Sequence, residues 1–407
     1  MIAHRLDRYP TPWVIASVTL VGVAYASLAA WRKSGRSSHH IIDSPLLQVQ
    51  SALSVAERKR LPYPPNFIPG CRDVATPYGS IRVYEWGPEG GRKVLLIHGI
   101  STPCVALEGL ADLLVQNGCR VILFDLFGRG YSSTPDPSLY PQDLKLFTTQ
   151  ILLVLASSPL SWTGGDASFS LIGYSLGGGI AAGFTSHFPT LVDSLILIAP
   201  AGLMRPSRIH WTSKLLYGNL LPQSLVQWLV WRRLGGNSAP NQQPEADTNA
   251  AVDIADAVEA ESTSHPAMAR DSSAPLSRRR QSVSVADVVA WQLKHHAGFL
   301  RAFISSIQHA PISGQHDSWR AIGDRLVAQK AHPNDQKIAA QGLREGKVLL
   351  LLGKSDSVVL ADEMGGDAKE VLGDGVEVRV LEGGHELPIT EAEDVATTIV
   401  EFWRMGE

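Results

Sequence analysis

Short apolar runs bounded by glycine recur along the chain, and stretches with helical spacing lie between them. The runs are Lys93 to Ile97 (KVLLI), Arg120 to Phe124 (RVILF), Ser168 to Ile172 (SFSLI), Ser194 to Ile198 (SLILI), Lys347 to Leu352 (KVLLLL) and Val376 to Leu381 (VEVRVL). Near-continuous apolar strands alternating with helices predict an α/β fold with a mostly parallel sheet, covered by helices on both faces. Ser80 to Trp86 (SIRVYEW) alternates with a period of two, which predicts a further strand, and Gly87 to Gly91 has turn chemistry.

The alternation stops after Gly202 and resumes at Lys347. The core is therefore expected in two parts, residues 71–202 and 346–407, with residues 203–345 inserted as a helical cap. Within the insertion, Ile209 to Leu234 and Val285 to Ile312 are apolar and helical in spacing, and they carry Trp211, Trp228, Trp231 and Trp291. Between them, residues 237–284 are rich in Ala, Ser, Asp, Glu, Pro and Gln, a composition expected to be disordered. Residues 37–70 begin polar and turn proline-rich (LPYPPNFIPG), so they are expected to form a linker.

Residues 1–36 form a separate segment. Trp13 to Ala30 holds no charge in 18 residues. As a helix it would be about 27 Å long, close to one hydrocarbon thickness. Trp13 and Trp31 stand at its ends, Arg5 and Arg8 on one side, and Arg32, Lys33 and Arg36 on the other. The pattern predicts a single-pass membrane anchor through residues 13–30 rather than a cleaved signal peptide, whose apolar part usually runs only about 7–15 residues. The heavier basic flank lies on the side of the core, which favours a cytosolic catalytic domain.

Composition narrows the reading further. The net charge of −3 over 407 residues leaves no electrostatic footprint for nucleic acid. Cys71, Cys104 and Cys119 are an odd number without metal spacing, so reduced thiols are expected, with Cys104 and Cys119 in packing roles.

The chemistry centres on Gly173-Tyr174-Ser175-Leu176-Gly177. It follows an apolar strand and precedes a Gly/Ala-rich helix, the context of a nucleophile elbow. Glycines two residues either side of Ser175 remove side chains that would collide in so tight a turn. A serine hydroxyl needs a base. His385 follows the last strand through Gly383 and Gly384 and is the candidate. The base needs a carboxylate to hold its tautomer. Asp356 is the first acid past the strand KVLLLL, with Asp362 and Glu363 as fallbacks. An oxyanion hole needs two backbone donors. Leu176 N–H is one. Gly99 lets the chain turn after the strand KVLLI, and Ile100 N–H is the second, with Ser101 as competitor. His98 is expected to be a structural hydrogen-bonder. No metal or organic cofactor is called for by this set.

His98-Gly99, the stretch Asp125-Leu126-Phe127-Gly128-Arg129-Gly130-Tyr131-Ser132, the elbow, Gly353-to-Asp356 and Gly384-His385 resemble the α/β-hydrolase superfamily in order and spacing. The resemblance covers about residues 75–202 and 345–405, with the insertion where members carry a cap. It implies a serine hydrolase with Ser175 as nucleophile, Asp356 as acid and His385 as base. The layout is similar to that of membrane-anchored monoacylglycerol lipase-like members. Members with epoxide hydrolase or haloalkane dehalogenase activity carry aspartate where this chain has Ser175, which argues against both activities.

The expected substrate is a carboxylic ester, with the anchor and apolar cap favouring a small-molecule or lipid ester or thioester. The rivals are carbon–carbon or amide cleavage by the same triad, acyl transfer to an alcohol, and a membrane-tethered scaffold without turnover. The tryptophans of the insertion line an acyl pocket, touch the bilayer or pack the cap. Ser282, beside Arg278-Arg279-Arg280, is a candidate kinase acceptor, with a solvated charge run as the plain alternative.

Overall fold

Each apolar run becomes a strand of one sheet. The strands are β1 (Cys71–Thr76), β2 (Gly79–Trp86), β3 (Arg92–Ile97), β4 (Cys119–Phe124), β5 (Phe169–Tyr174), β6 (Val192–Ile198), β7 (Val348–Gly353) and β8 (Val376–Leu381). Their order across the sheet is β8-β7-β6-β5-β3-β4-β2-β1. β1 and β2 run antiparallel to their neighbours, and the pairings from β4 to β8 are parallel. All six residues of β5 and all six of β7 are buried, which requires cover on both faces of the sheet. The computed structural model describes residues 40–48, 53–59, 61–163, 167–205, 211–218, 220–235, 275–277 and 279–405. Ile41–Glu407 is one compact unit; the other, Met1–His40, lies outside the described residues apart from His40.

The cover comes from helices α1 (Glu108–Gln116), α2 (Leu144–Ala156) and α3 (Leu176–His187), then α4 (Gln223–Gly235), α5 (Val285–His295), α6 (Phe299–His309) and α7 (His316–Ala331), and finally α8 (Ala361–Leu372) and α9 (Ala392–Arg404). α1 packs on α9, and α2, α3, α7 and α8 pack in succession. Cys104 and Cys119 are buried free thiols within this core.

Five points need correction or restriction. The polar β1 was not anticipated as a strand: its burial alternates between half-buried and exposed, as suits an edge. The expected linker 37–70 is structured in its described parts. Ile41–Ile42 pairs antiparallel with Thr134–Pro135, and Tyr63 and Ile68 are buried in the core. A proline-rich stretch lacks a period, yet its extended backbone can press side chains into the domain. The Tyr63 ring lies 4.8 Å from Tyr131 and 5.5 Å from Trp291, and Tyr131 Oη donates to Tyr63 O.

The expected disordered stretch 237–284 ends early. Pro275–Ser277 and Arg280–Ser284 pair as an antiparallel hairpin. Arg279 between them pairs with the buried Glu108 at 2.8 Å and with Asp112 on α1, partners that local composition cannot reveal. Ser282 is exposed on the second strand of this hairpin. The cap is also shorter than residues 203–345: α7 buries Trp319, Ile322 and Leu326 and packs against α3 and α8 as a layer of the core. The expected anchor at residues 13–30 lies outside the described residues, among which no helix is long and apolar enough to cross a membrane.

Candidate active site

The elbow forms as its glycines require. Ser175 has φ 53° and ψ −119°, a conformation few side-chain-bearing residues adopt, and it caps the N-terminus of α3. Ser175 N–H donates to Ile198 O at 3.0 Å, and Ser175 O accepts from Gly178 N–H at 2.9 Å and Ala201 N–H at 2.8 Å. These bonds hold the strained turn. A β-carbon at Gly173 would stand 2.3 Å from Gly177 O, and one at Gly177 would stand 2.2 Å from Ile97 O. Only glycine fits at either position.

The loops after β7 and β8 carry the other two residues. They are laced together by Lys354 N–H to Leu381 O and Ser355 N–H to Gly383 O, each 2.9 Å. Asp356 Oδ1 accepts from Val358 and Val359 N–H, both at 2.8 Å. That leaves Oδ2 for His385 Nδ1, 2.9 Å away, and His385 Nε2 lies 3.1 Å from Ser175 Oγ. Ser175, His385 and Asp356 are thus joined in one hydrogen-bonded row. Asp356 and His385 are buried, and Ser175 is partly open. The fallback acids Asp362 and Glu363 sit in the first turn of α8.

The segments that carry the two expected oxyanion donors lie next to Ser175. Leu176 is the first residue of α3, so its N–H is among the free donors of a helix N-terminus. Gly99 lies against the elbow, its β-position 3.5 Å from Ser175 Cβ. His98 is buried and neutral. Leu126 N–H donates to its Nε2 at 2.9 Å, which leaves the proton on Nδ1 to donate to Gly99 O at 2.8 Å. Burial lowers its pKa to about 3. His98 is therefore a structural hydrogen-bonder, as expected.

The Asp125-to-Ser132 stretch is a buried loop. The Asp125 carboxylate accepts from Cys104 N–H at 2.9 Å and Tyr131 N–H at 2.8 Å. Within this stretch Arg129 has a role with no local sequence signal: it is fully buried and bonds Ile100 O at 3.0 Å, Phe127 O at 3.0 Å and Ser306 Oγ at 2.8 Å. Gln292 is equally buried and bonds Ser101 O. A glutamine among the apolar residues of α5 is a visible signal of such a role. Glu386, next to His385, was also missed; it accepts from Tyr174 Oη.

Comparison with known proteins agrees with this architecture. The family model described as serine aminopeptidase, S33 matches residues 89–276, slightly under half of the chain. A serine hydrolase-like protein of Danio rerio is 33% identical over 132 residues, 32% of this chain and 38% of that protein. A serine hydrolase-like protein of Homo sapiens is 35% identical over 125 residues, 31% of this chain and 58% of that protein. The matched region is thus under two thirds of either relative's length. The crystal structure of bromoperoxidase from Bacillus anthracis superposes with a TM-score of 0.52 at 16% identity, covering 82% of this chain and 99% of that one. With the eight-stranded order and the elbow, these matches show that the chain has the α/β-hydrolase fold.

Proposed function

We propose that the chain is a serine hydrolase that cleaves carboxylic esters through an acyl-enzyme on Ser175. The row Asp356–His385–Ser175, with spacings of 2.9 and 3.1 Å, is the observation that carries this reading. His385 Nε2 takes the Ser175 proton as Oγ attacks the ester carbonyl. Asp356 holds the proton on Nδ1 and stabilises the imidazolium. Leu176 and Ile100 N–H groups bind the oxyanion. His385 then protonates the leaving alcohol, and a water deprotonated by His385 releases the acid. No step calls for a metal or organic cofactor.

A lipophilic ester is the proposed substrate class. Leu225, Trp228 and Trp231 recur every three residues on α4 and are exposed, a face suited to lipid contact. Residues 13–30 would hold the enzyme at a membrane as a single-pass anchor, with the catalytic part in the cytosol.

A fluorophosphonate probe tests the nucleophile. The folded wild type should be labelled and Ser175→Ala should not; an unlabelled, folded wild type overturns the reading. An ester series of rising chain length tests the substrate class, and a preference for short acyl chains would sink the lipid assignment.

A further inference from the structure

The geometry points to a role for the insertion inside the catalytic machinery: Gln292 and Ser306, on two cap helices, position the backbone of the oxyanion loop. The inference rests on the reading of Ser175 as nucleophile.

The loop Gly99–Thr102 has three successive carbonyls held by side chains. Gly99 O accepts from His98 Nδ1 at 2.8 Å, Ile100 O from Arg129 Nε at 3.0 Å, and Ser101 O from Gln292 Nε2 at 2.8 Å. In a trans peptide the C=O and the next N–H point in opposite directions. Holding Gly99 O therefore aims Ile100 N–H. Holding Ile100 O aims Ser101 N–H, the competing donor. His98 belongs to the core strand end, so the first peptide is set by the core itself. The next two, carrying Ser101 and Thr102 N–H, are set from the cap side, so Arg129 aims the Ser101 donor and fixes the chain just after Ile100, while Gln292 fixes the far side of Ser101.

The link to the cap is direct. Gln292 on α5 is buried, and while its Nε2 donates to Ser101 O, its Oε1 accepts from Gly130 N–H at 2.8 Å. One amide thus bridges the oxyanion loop and the Asp125-to-Ser132 loop. Arg129 from that second loop reaches Ile100 O with Nε and Ser306 Oγ on α6 with a terminal nitrogen at 2.8 Å. All three acceptors of Arg129 are neutral oxygens, and among the described residues it makes no ion pair. Its charge sits behind the Ile100–Ser101 peptide and polarises that peptide's N–H. His98, Ser101, Arg129, Gln292 and Ser306 are all buried, so losing one partner leaves a buried polar group unsatisfied and couples the loop to the cap.

The test compares wild type with Gln292→Glu and Ser306→Ala. The glutamate can still accept from Gly130 N–H but cannot donate to Ser101 O. The alanine removes one acceptor of Arg129 at little cost in volume, and decides the matter if Gln292→Glu fails to fold. Each is assayed for kcat and KM on a short soluble ester, and for inhibition by a trifluoromethyl ketone, whose adduct on Ser175 carries an oxyanion. Removing one oxyanion donor outright costs about 100- to 1,000-fold. A misaimed donor should cost less, about 10- to 100-fold in kcat for Gln292→Glu and about 3- to 10-fold for Ser306→Ala. KM should hold within about twofold, and the ketone's Ki should rise in step with the kcat loss. Folded variants with unchanged kcat, or a loss confined to KM, overturn the inference alone. A folded wild type that no fluorophosphonate labels overturns the nucleophile assignment as well.

Discussion

Tyr174 Oη donates to Glu386 Oε2 at 3.0 Å across 212 residues of sequence. Tyr174 precedes Ser175 and Glu386 follows His385, so this bond ties the elbow to the β8 loop independently of the Asp356–His385–Ser175 row. The Tyr174 and His385 rings lie 5.6 Å apart, so the phenol also forms a wall for the imidazole. Tyr174→Phe keeps the wall and removes the bond. It should lower stability by about 1–3 kcal/mol, because a buried carboxylate loses a donor, and lower kcat several-fold at constant KM. Glu386→Gln, whose amide oxygen still accepts, should lose less on both counts. Denaturant melts and steady-state kinetics of the pair check this ordering; the reverse order would exclude a positioning bond.

Asp356→Asn leaves the loop bonds from Val358 and Val359 in place but cannot hold the proton on His385 Nδ1. A comparable change in a Ser-His-Asp protease costs about 10,000-fold in kcat. A loss of that order is expected here, with a melting temperature close to wild type. An activity loss under tenfold would remove Asp356 from the triad.

Two glycine substitutions should have opposite effects. Gly177→Ala forces a β-carbon to 2.2 Å from Ile97 O, a backbone atom of the central sheet that cannot yield. A loss of at least about 3 kcal/mol is expected, at the upper end for overpacking. Gly366→Ala, exposed on α8 with nothing within 4 Å of the new methyl, should gain about 0.5–1 kcal/mol from helix propensity. Urea unfolding of both variants reads the two signs together.

Acid should loosen the fold through buried histidines. Burial lowers the pKa of His98 to about 3 and of His296 to about 4, against an unfolded value of 6.5. The unfolded chain therefore binds more protons between those values, and stability falls as pH drops. The contribution is complete above pH 6.5 and is lost as pH falls toward 4 and then 3. Replacing His98 by Asn, which cannot titrate, should flatten the difference in urea midpoint between pH 7.5 and 5. An unchanged slope would place the acid sensitivity elsewhere.

The strands were legible because a parallel strand buried on both faces must be apolar throughout, as Leu349 to Leu352 are. The row Ser175, Asp356, His385 was legible for a related reason: each follows a strand at the same edge of a parallel sheet, with glycines around Ser175 and before His385 marking the turns and Asp356 the first acid past its strand. Other features depend on partners far away in sequence. Arg279 reads as part of a solvated basic run until Glu108 is seen beneath it. Tyr63 reads as linker until the rings of Tyr131 and Trp291 are seen around it. Arg129 carries no local motif, and Gln292 shows only as a polar residue on an apolar helix; the meaning of both lies in two carbonyls on another loop.

β6 pairs with β7, whose first residue comes 150 positions after the last of β6. During synthesis the ribosome delivers Ser175 and the whole of β6 well before β7 exists. For that interval Ser175 has neither His385 nor Asp356 beside it, so on the proposed mechanism the nascent chain cannot attack esters around it. The same interval leaves the inner edge of β6 bare, a surface on which other chains can add strands. Delayed activation and a period of aggregation risk thus come from a single topological choice, the placing of the cap between the two strands.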